Sequence, residues 1–187
     1  GNSCIIKPPS ATPLTGLKFG ELLIRAGFPK EAVSVIPCRS DIAERLATDK
    51  RISCLSFTGS PSVGWHLRSI TPARHVTLEL GGNAAVIVHD DADQTLAASR
   101  IIEGAYSHSG QVCISVQRVF IQRTIAYRFI YELVSRCNAL VTGDPEDPAT
   151  DVGPMITPDK AEEALQRIEE AVSQGARVLC GGRLSGH

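Results

Sequence analysis

The sequence predicts an α/β fold in which helices cover both faces of a parallel sheet. Short apolar segments of strand length alternate with longer segments whose apolar residues recur at helical spacing. Proline and glycine mark helix ends: Pro13 and Pro61 suit a first helical turn, and Gly27 and Gly175 suit the end of a helix. Strict alternation of strand and helix is typical of parallel strands joined by helical crossovers.

The first part of the chain, up to residue 80, is predicted to contain four strands separated by three helices. Ser40 stands where it would cap the second helix, and Trp65, in the third helix, is predicted to pack in the core. The predicted strands are 3–8, 32–37, 52–57 and 75–80, and the predicted helices are 13–29, 40–49 and 61–70.

The second part repeats the alternation and adds a long loop. Its loop, 143–154, is rich in proline and acidic residues, and Thr157 can cap the helix that follows. The segment 177–180, "RVLC", is predicted to begin another strand. The remaining predicted elements are strands at 84–88 and 117–122 and helices at 91–107, 126–140 and 157–176.

Composition narrows the class of protein. The 187 residues suffice for one domain or parts of two, with 43% hydrophobic and 21% charged residues, as in ordinary globular proteins. A net charge of −1 favours neither nucleic acid nor a membrane surface as partner. We find no signal peptide and no apolar run long enough to span a bilayer.

The cysteines and histidines indicate no metal site and no disulfide framework. The six cysteines are scattered without a CxxC pair, and the five histidines lack metal-binding spacing. We therefore expect a reducing compartment, the cytoplasm, with most of these cysteines buried as small hydrophobic residues.

One strand-to-helix turn has the character of a phosphate site. In "SFTGSPSVG", the predicted strand leads through Gly59 and Ser60 into a helix with Gly64 in its first turn. Small residues there leave free backbone N–H groups at the positive end of a helix, which suits a phosphate. The spacing differs from GxGxxG, so the alternative is an ordinary glycine-containing turn.

Two further motifs carry groups that can react. In "VTLELGGN", Glu79 lies between Leu78 and Leu80, and desolvation there would raise its pKa and make it a better base. In "HSGQVC", Cys113 follows a turn formed by Gly110 and Gln111. The alternatives are a solvent-facing glutamate at a strand end and a buried structural thiol.

Taken together, the three motifs resemble the aldehyde dehydrogenase superfamily. They occur in the family's order, with Cys113 34 residues after Glu79. Segments such as "IIKPPSATPLTGLKFGELLIRAGFPKEAVSVIP" and "TGDPEDPATDVGPMI" extend the resemblance along the chain. The resemblance implies an incomplete three-layer αβα architecture of the aldehyde dehydrogenase type. In it, residues 1–81 form the C-terminal part of an NAD(P)-binding domain and residues 82–187 the N-terminal part of a catalytic domain.

The resemblance also implies roles for the two reactive groups. Cys113 is the nucleophile that attacks the aldehyde and passes through a thiohemiacetal to a thioester, and its backbone N–H forms half of an oxyanion hole. Glu79 activates the water that hydrolyses the thioester. The product is a carboxylic acid.

The cofactor implied by the resemblance is NAD or NADP. Lys7 matches the lysine at the adenosine ribose, and Ser60, beside Gly59, matches the residue at the pyrophosphate; Leu80 and Gly81 match positions near the nicotinamide. Gly64 belongs to the same turn. Ser10 stands where many members carry a glutamate that binds the ribose hydroxyls, and a missing carboxylate removes repulsion against a 2′-phosphate.

Two other functions stay open at this stage. A CoA-acylating relative would pass the thioester to coenzyme A, although such relatives usually lack the glutamate at the position of Glu79. A non-catalytic module could reuse the fold. We expect the parent enzyme to act on a small aldehyde as a homo-oligomer, and residues 1–187 alone to be inactive. Tyr106 and His108 lie near Cys113 in sequence and could face the substrate or pack.

Overall fold

The computed structural model describes residues 1–185 and divides the chain into two compact units, residues 1–80 and the residues from 81 onward. Each unit contains parallel strands joined through helices, as the alternating pattern predicts. No helix in the described part of the chain has both the length and the apolar character needed to cross a bilayer.

The first unit contains four strands and three α-helices. Its strands form two parallel pairs, the first with the second and the third with the fourth. The elements are β1 (Cys4–Ile6), α1 (Leu14–Arg25), β2 (Val33–Val35), α2 (Ser40–Thr48), β3 (Cys54–Gly59), α3 (Pro61–Ile70) and β4 (His75–Leu80), with a short 3-10 helix at Lys30–Ala32.

The pairing of β3 with β4 brings two predicted site segments to one edge. Thr58 lies opposite Glu79, and Gly59 lies opposite Leu80. Pro61 is the first residue of α3, a position that suits proline because its missing N–H would have no partner there and its fixed φ is already helical. The helix therefore starts at once after β3 ends.

The prediction that Ser40 caps α2 is wrong by one residue. Ser40 is the first helical residue and Arg39 is the N-cap, without a side-chain hydrogen bond to the first turn. The Arg39 guanidinium instead pairs with the Asp41 carboxylate, at 3.0 and 3.1 Å. An acidic residue in the first turn is favourable near the positive helix end.

The second unit contains one parallel pair of strands, whose buried residues form a core with those of two of its helices. Its buried core joins Val88, Ala98, Ile101 and Phe129, and the Phe129 side chain is completely buried. The elements are β5 (Ala84–Val88), α4 (Gln94–Tyr106), β6 (Val116–Ile121), α5 (Ala126–Ala139) and α6 (Pro158–Ser173), with a 3-10 turn at Ser107–Gly110.

Helix ends in this unit follow local hydrogen bonding. Helix α4 begins three residues later than predicted because Asp93 caps it, its Oδ1 accepting from the Leu96 N–H at 3.0 Å. Thr157 occupies the N-cap position of α6, without a side-chain capping bond. Gly175 follows that helix with a φ of +99°, the left-handed conformation that ends helices and that glycine adopts without strain.

Three other predictions, one about a strand and two about burial, are wrong. Residues 177–180 do not form a strand in the described chain, and no described strand lies beside them to accept their backbone hydrogen bonds. Trp65 is 63% exposed and so lies outside the core. None of the six cysteines is fully buried: Cys4, Cys54 and Cys113 are exposed and Cys38, Cys137 and Cys180 are half-buried.

Candidate active site

Cys113 lies on an exposed turn between the 3-10 turn and β6. The turn is closed by the Ser115 N–H, which donates to the Val112 carbonyl at 3.0 Å. The Cys113 thiol is exposed, so the buried structural reading of this residue is wrong. Its backbone N–H donates to no group within residues 1–185. The same residue therefore offers an accessible sulfur and a free hydrogen-bond donor.

The backbone just before Cys113 adopts a left-handed conformation over three successive residues. His108 and Ser109 have φ values of 50° and 57°, and Gly110 has 72°. For residues other than glycine this conformation costs about 1–2 kcal/mol each. Backbone of this kind persists only where its surroundings hold it, and it concentrates at functional sites.

Side-chain hydrogen bonds hold this turn. The Ser109 hydroxyl donates to the Gly153 carbonyl at 2.7 Å. Gln111 accepts from the Ile156 N–H through Oε1 at 3.0 Å, and its Nε2 donates to the His108 carbonyl at 3.3 Å. The loop predicted at 143–154 thus continues into a support for the cysteine turn.

The sequence indicates Gln111 as part of the turn before Cys113, but neither its contacts with residues 153–156 nor the role of Ser109 in holding the turn. Their one sequence signal is the polar side chains on both sides of Gly110. A third support, Ser115, is only 3% exposed and donates through its hydroxyl to the Ala105 carbonyl at 3.2 Å. A hydroxyl buried so deeply needs such a partner.

Gly82 approaches the cysteine turn closely. A Cβ atom at this position would lie 2.8 Å from the Cys113 carbonyl oxygen. The Gly82 carbonyl accepts from Gln117 Nε2 of β6 at 3.1 Å. Glycine is therefore required here by the approach of two backbones, while Gly81 simply precedes it at the start of the second unit.

Tyr106 and His108 have different surroundings. The Tyr106 hydroxyl lies 3.4 Å from Cys137 Sγ, so it packs toward that thiol rather than toward Cys113. Burial raises the pKa of Tyr106, and the contact with Cys137 adds to this. His108 lines a shallow cavity of about 390 Å³ together with Ser109 and Gln111.

In the first unit, four residues predicted to bind the cofactor lie in or beside the turn from β3 into α3. Ser60 is the N-cap of α3, and its carbonyl accepts from the Gly64 N–H at 3.0 Å. Gly64 is buried against Leu80, whose side chain fills the space that a Cβ would need. Gly59 lies opposite Leu80 in the strand pairing. The first turn of α3 consequently presents free N–H groups beside small residues.

Lys7 and Ser10 also come together. Lys7 Nζ donates to the Ser10 hydroxyl at 3.1 Å, and that hydroxyl donates to the Cys38 carbonyl at 3.3 Å. The Lys7 ammonium keeps two further donors, which can bind oxygen atoms of a sugar or a phosphate.

Glu79 does not have the environment that we expected. Along β4 the side chains alternate between exposed and half-buried, and Glu79 is on the exposed side. Leu78 and Leu80 therefore do not cover the Glu79 carboxylate in the first unit, because neighbours along a strand point to opposite faces. Its position matches the alternative, a solvent-facing glutamate near a strand end.

Comparison with known proteins shows the family to which the chain belongs. The model of the aldehyde dehydrogenase family matches residues 1–187. The chain belongs to the aldehyde dehydrogenase family. It is 42% identical, over 187 residues, to a 3-sulfolactaldehyde dehydrogenase from Priestia aryabhattai, and 39% identical to a betaine aldehyde dehydrogenase from Cereibacter sphaeroides. These alignments include 100% and 99% of this chain but 39% of each relative, so the chain spans about two fifths of their length.

Solved structures of the family share the fold. A betaine aldehyde dehydrogenase from Staphylococcus aureus in complex with NAD+ matches 99% of this chain and 37% of its own, with a TM-score of 0.94 and 30% identity. A 3,6-anhydro-L-galactose dehydrogenase in complex with NADP matches 100% of this chain and 40% of its own, with a TM-score of 0.92 and 33% identity. The predicted incomplete αβα architecture is thereby confirmed.

Proposed function

We propose that the whole protein oxidises an aldehyde to a carboxylic acid with NAD or NADP, and that Cys113 is its nucleophile. The observation that carries the proposal is the exposed Cys113 thiol on a turn that also leaves its own N–H free. Family membership supplies the reaction type, and named relatives act on 3-sulfolactaldehyde and betaine aldehyde.

The chemistry at Cys113 follows from its two free groups. The thiolate attacks the carbonyl carbon, a C–S bond forms, and the carbonyl π electrons move to oxygen. The Cys113 N–H can donate to that oxyanion, which is where negative charge develops in the transition state. When the oxyanion collapses, the carbon loses a hydride and the sulfur is left as a thioester. NAD or NADP, when bound, supplies the acceptor for that hydride.

Glu79 is proposed as the base for the second half of the reaction. Its carboxylate takes a proton from water, the water oxygen attacks the thioester carbon, and the C–S bond breaks to release a carboxylic acid and the thiolate. A CoA-acylating reaction would not need this base. The presence of Glu79 therefore favours transfer to water over transfer to coenzyme A.

The described residues fit a dinucleotide. The first turn of α3 offers free N–H groups at a positive helix end, and Gly59, Ser60 and Gly64 keep side-chain bulk away from it. We propose that this turn holds the pyrophosphate, that Lys7 and Ser10 hold the adenosine ribose, and that Leu80 and Gly81 lie near the nicotinamide. Residues 1–81 then belong to the cofactor domain and residues 82–187 to the catalytic domain. Assembly into a homo-oligomer remains a prediction.

Alkylation of the whole protein tests the assignment of the nucleophile. Iodoacetamide followed by peptide mapping should label Cys113 first, and activity should fall in proportion to that label. The Cys54→Ser variant is the matched control, because Cys54 is also exposed but lies at the start of a strand. Loss of activity that follows the labelling of another cysteine would contradict the proposal. Release of an acyl-CoA in the presence of coenzyme A would favour the alternative reaction.

A further inference from the structure

The cysteine turn is anchored to residues 153–156 by two polar side chains. We propose that Ser109 and Gln111 are positioning residues, which fix the orientation of Cys113 by tying its left-handed turn to this segment. The proposal rests on the proposed function of Cys113 as nucleophile. It concerns how the thiol is held, and neither side chain needs to contact the aldehyde.

Gln111 makes two contacts that require an amide. Its oxygen accepts from the Ile156 N–H, and its nitrogen donates to the His108 carbonyl. A carboxylate could accept the first bond but could not donate the second, and an alkyl chain could make neither. Gln111 thus joins the left-handed turn to the supporting segment through one side chain.

Ser109 fixes the same turn at its centre. Its hydroxyl donates to the Gly153 carbonyl at 2.7 Å, with a second carbonyl, that of Pro154, at 3.3 Å. The two anchors stand four and two residues before Cys113. On the other side, the Gly82 backbone lies so close to the Cys113 carbonyl oxygen that a Cβ at residue 82 would be 2.8 Å from it.

The experiment measures the second-order rate of Cys113 alkylation by iodoacetamide in the whole protein, with peptide mapping, together with kcat and KM. The variants are Ser109→Ala, Ser109→Gly and Gln111→Leu. We expect kcat to fall by about ten- to a hundredfold, the order expected for a misplaced reacting group, and the alkylation rate to fall by less, because a small free reagent demands less exact geometry than a bound substrate. KM for the cofactor should change by less than about twofold. Ser173→Ala and Gln174→Leu are matched controls, because both residues are exposed and bond only within the end of α6.

Two variants separate positioning from general stability. Ser109→Gly removes the anchor but also relieves the left-handed strain, so its urea midpoint should equal or exceed that of Ser109→Ala while its alkylation rate stays equally low. Gln111→Glu keeps the bond from Ile156 and loses the bond to His108, and its rate should lie between those of the wild type and Gln111→Leu. Rates are expressed per folded molecule, so partial unfolding of one variant does not hide the effect.

Wild-type alkylation rates in Ser109→Gly and Gln111→Glu, or rates that simply follow the urea midpoints, would overturn the positioning role. The proposed function fails by a different result: iodoacetamide would then inactivate the protein at another cysteine. If all variants label Cys113 at the wild-type rate, Cys113 stays the proposed nucleophile and only the positioning role of Ser109 and Gln111 is rejected.

Discussion

Substitution of Gly82 by alanine should slow the reaction by moving the backbone of the nucleophile. The new Cβ would lie 2.8 Å from the Cys113 carbonyl oxygen, whereas ordinary van der Waals contact begins near 3.4 Å. The difference, about 0.6 Å, must be taken up by residue 82 or by the cysteine turn. Residue 82 is itself held by the bond from Gln117 to its carbonyl, so part of the shift should reach Cys113. Because misplacement by about 1 Å can cost a hundredfold, we expect kcat to fall by roughly three- to thirtyfold.

The assay compares kcat, KM and the rate of Cys113 alkylation in the whole protein. The neighbouring Asn83→Ala variant is the control, since it removes side-chain atoms and adds no contact. A purely structural effect would reduce the amount of folded protein and leave kcat and the Cys113 alkylation rate per folded molecule unchanged. If Gly82→Ala retains wild-type kcat and alkylation rate, the close approach of these backbones does not position the nucleophile.

Three further predictions concern other parts of the chain. Glu79→Gln should give a burst of about one reduced cofactor per active site followed by a slow steady rate, and full steady-state turnover would remove Glu79 from the mechanism. Ser10→Glu should reduce kcat/KM with NADP by about tenfold, as expected for roughly 1–2 kcal/mol of charge repulsion, and should leave kcat/KM with NAD equal or improved; equal losses with both cofactors would contradict this. Phe129→Ala should lower the free energy of unfolding by about 3–5 kcal/mol in urea titrations because its fully buried ring leaves a cavity, and a loss below about 1 kcal/mol would show that the core of the second unit does not depend on it.

The order and type of the helices and of six strands were predictable from periodicity. Helix α3 and strands β4 and β5 have the predicted bounds, because proline and glycine mark their ends and their patterns are unambiguous. The strand expected at 177–180 did not form, because a short apolar run becomes a strand only beside a partner strand. Helix α4 starts later than predicted because Asp93 caps it, and periodicity alone does not reveal a capping bond.

The sequence offered candidate site residues through residue types and family resemblance, but it did not predict the backbone geometry around Cys113. Lys7 with Ser10, and Gly59 with Leu80, were assigned through the family resemblance and are neighbours in the structure, while their cofactor roles stay predictions. The expected burial of Glu79 failed because strand neighbours point to opposite faces, so Leu78 and Leu80 do not cover it. The anchoring contacts of Ser109 and Gln111 were missed because they join residues 44 and 45 apart in sequence.

The energy of the cysteine turn explains why it needs several anchors. Two non-glycine residues in the left-handed conformation cost about 2–4 kcal/mol together. Four side-chain hydrogen bonds, made by Ser109, Gln111 and Ser115, contribute about 2–6 kcal/mol at the usual net value for each bond. The two quantities are similar, so the turn keeps its conformation only while most of these bonds are present. A turn balanced in this way holds the thiol and the free N–H of Cys113 in one orientation, and the loss of a single anchor should be detectable in the reactivity of that thiol.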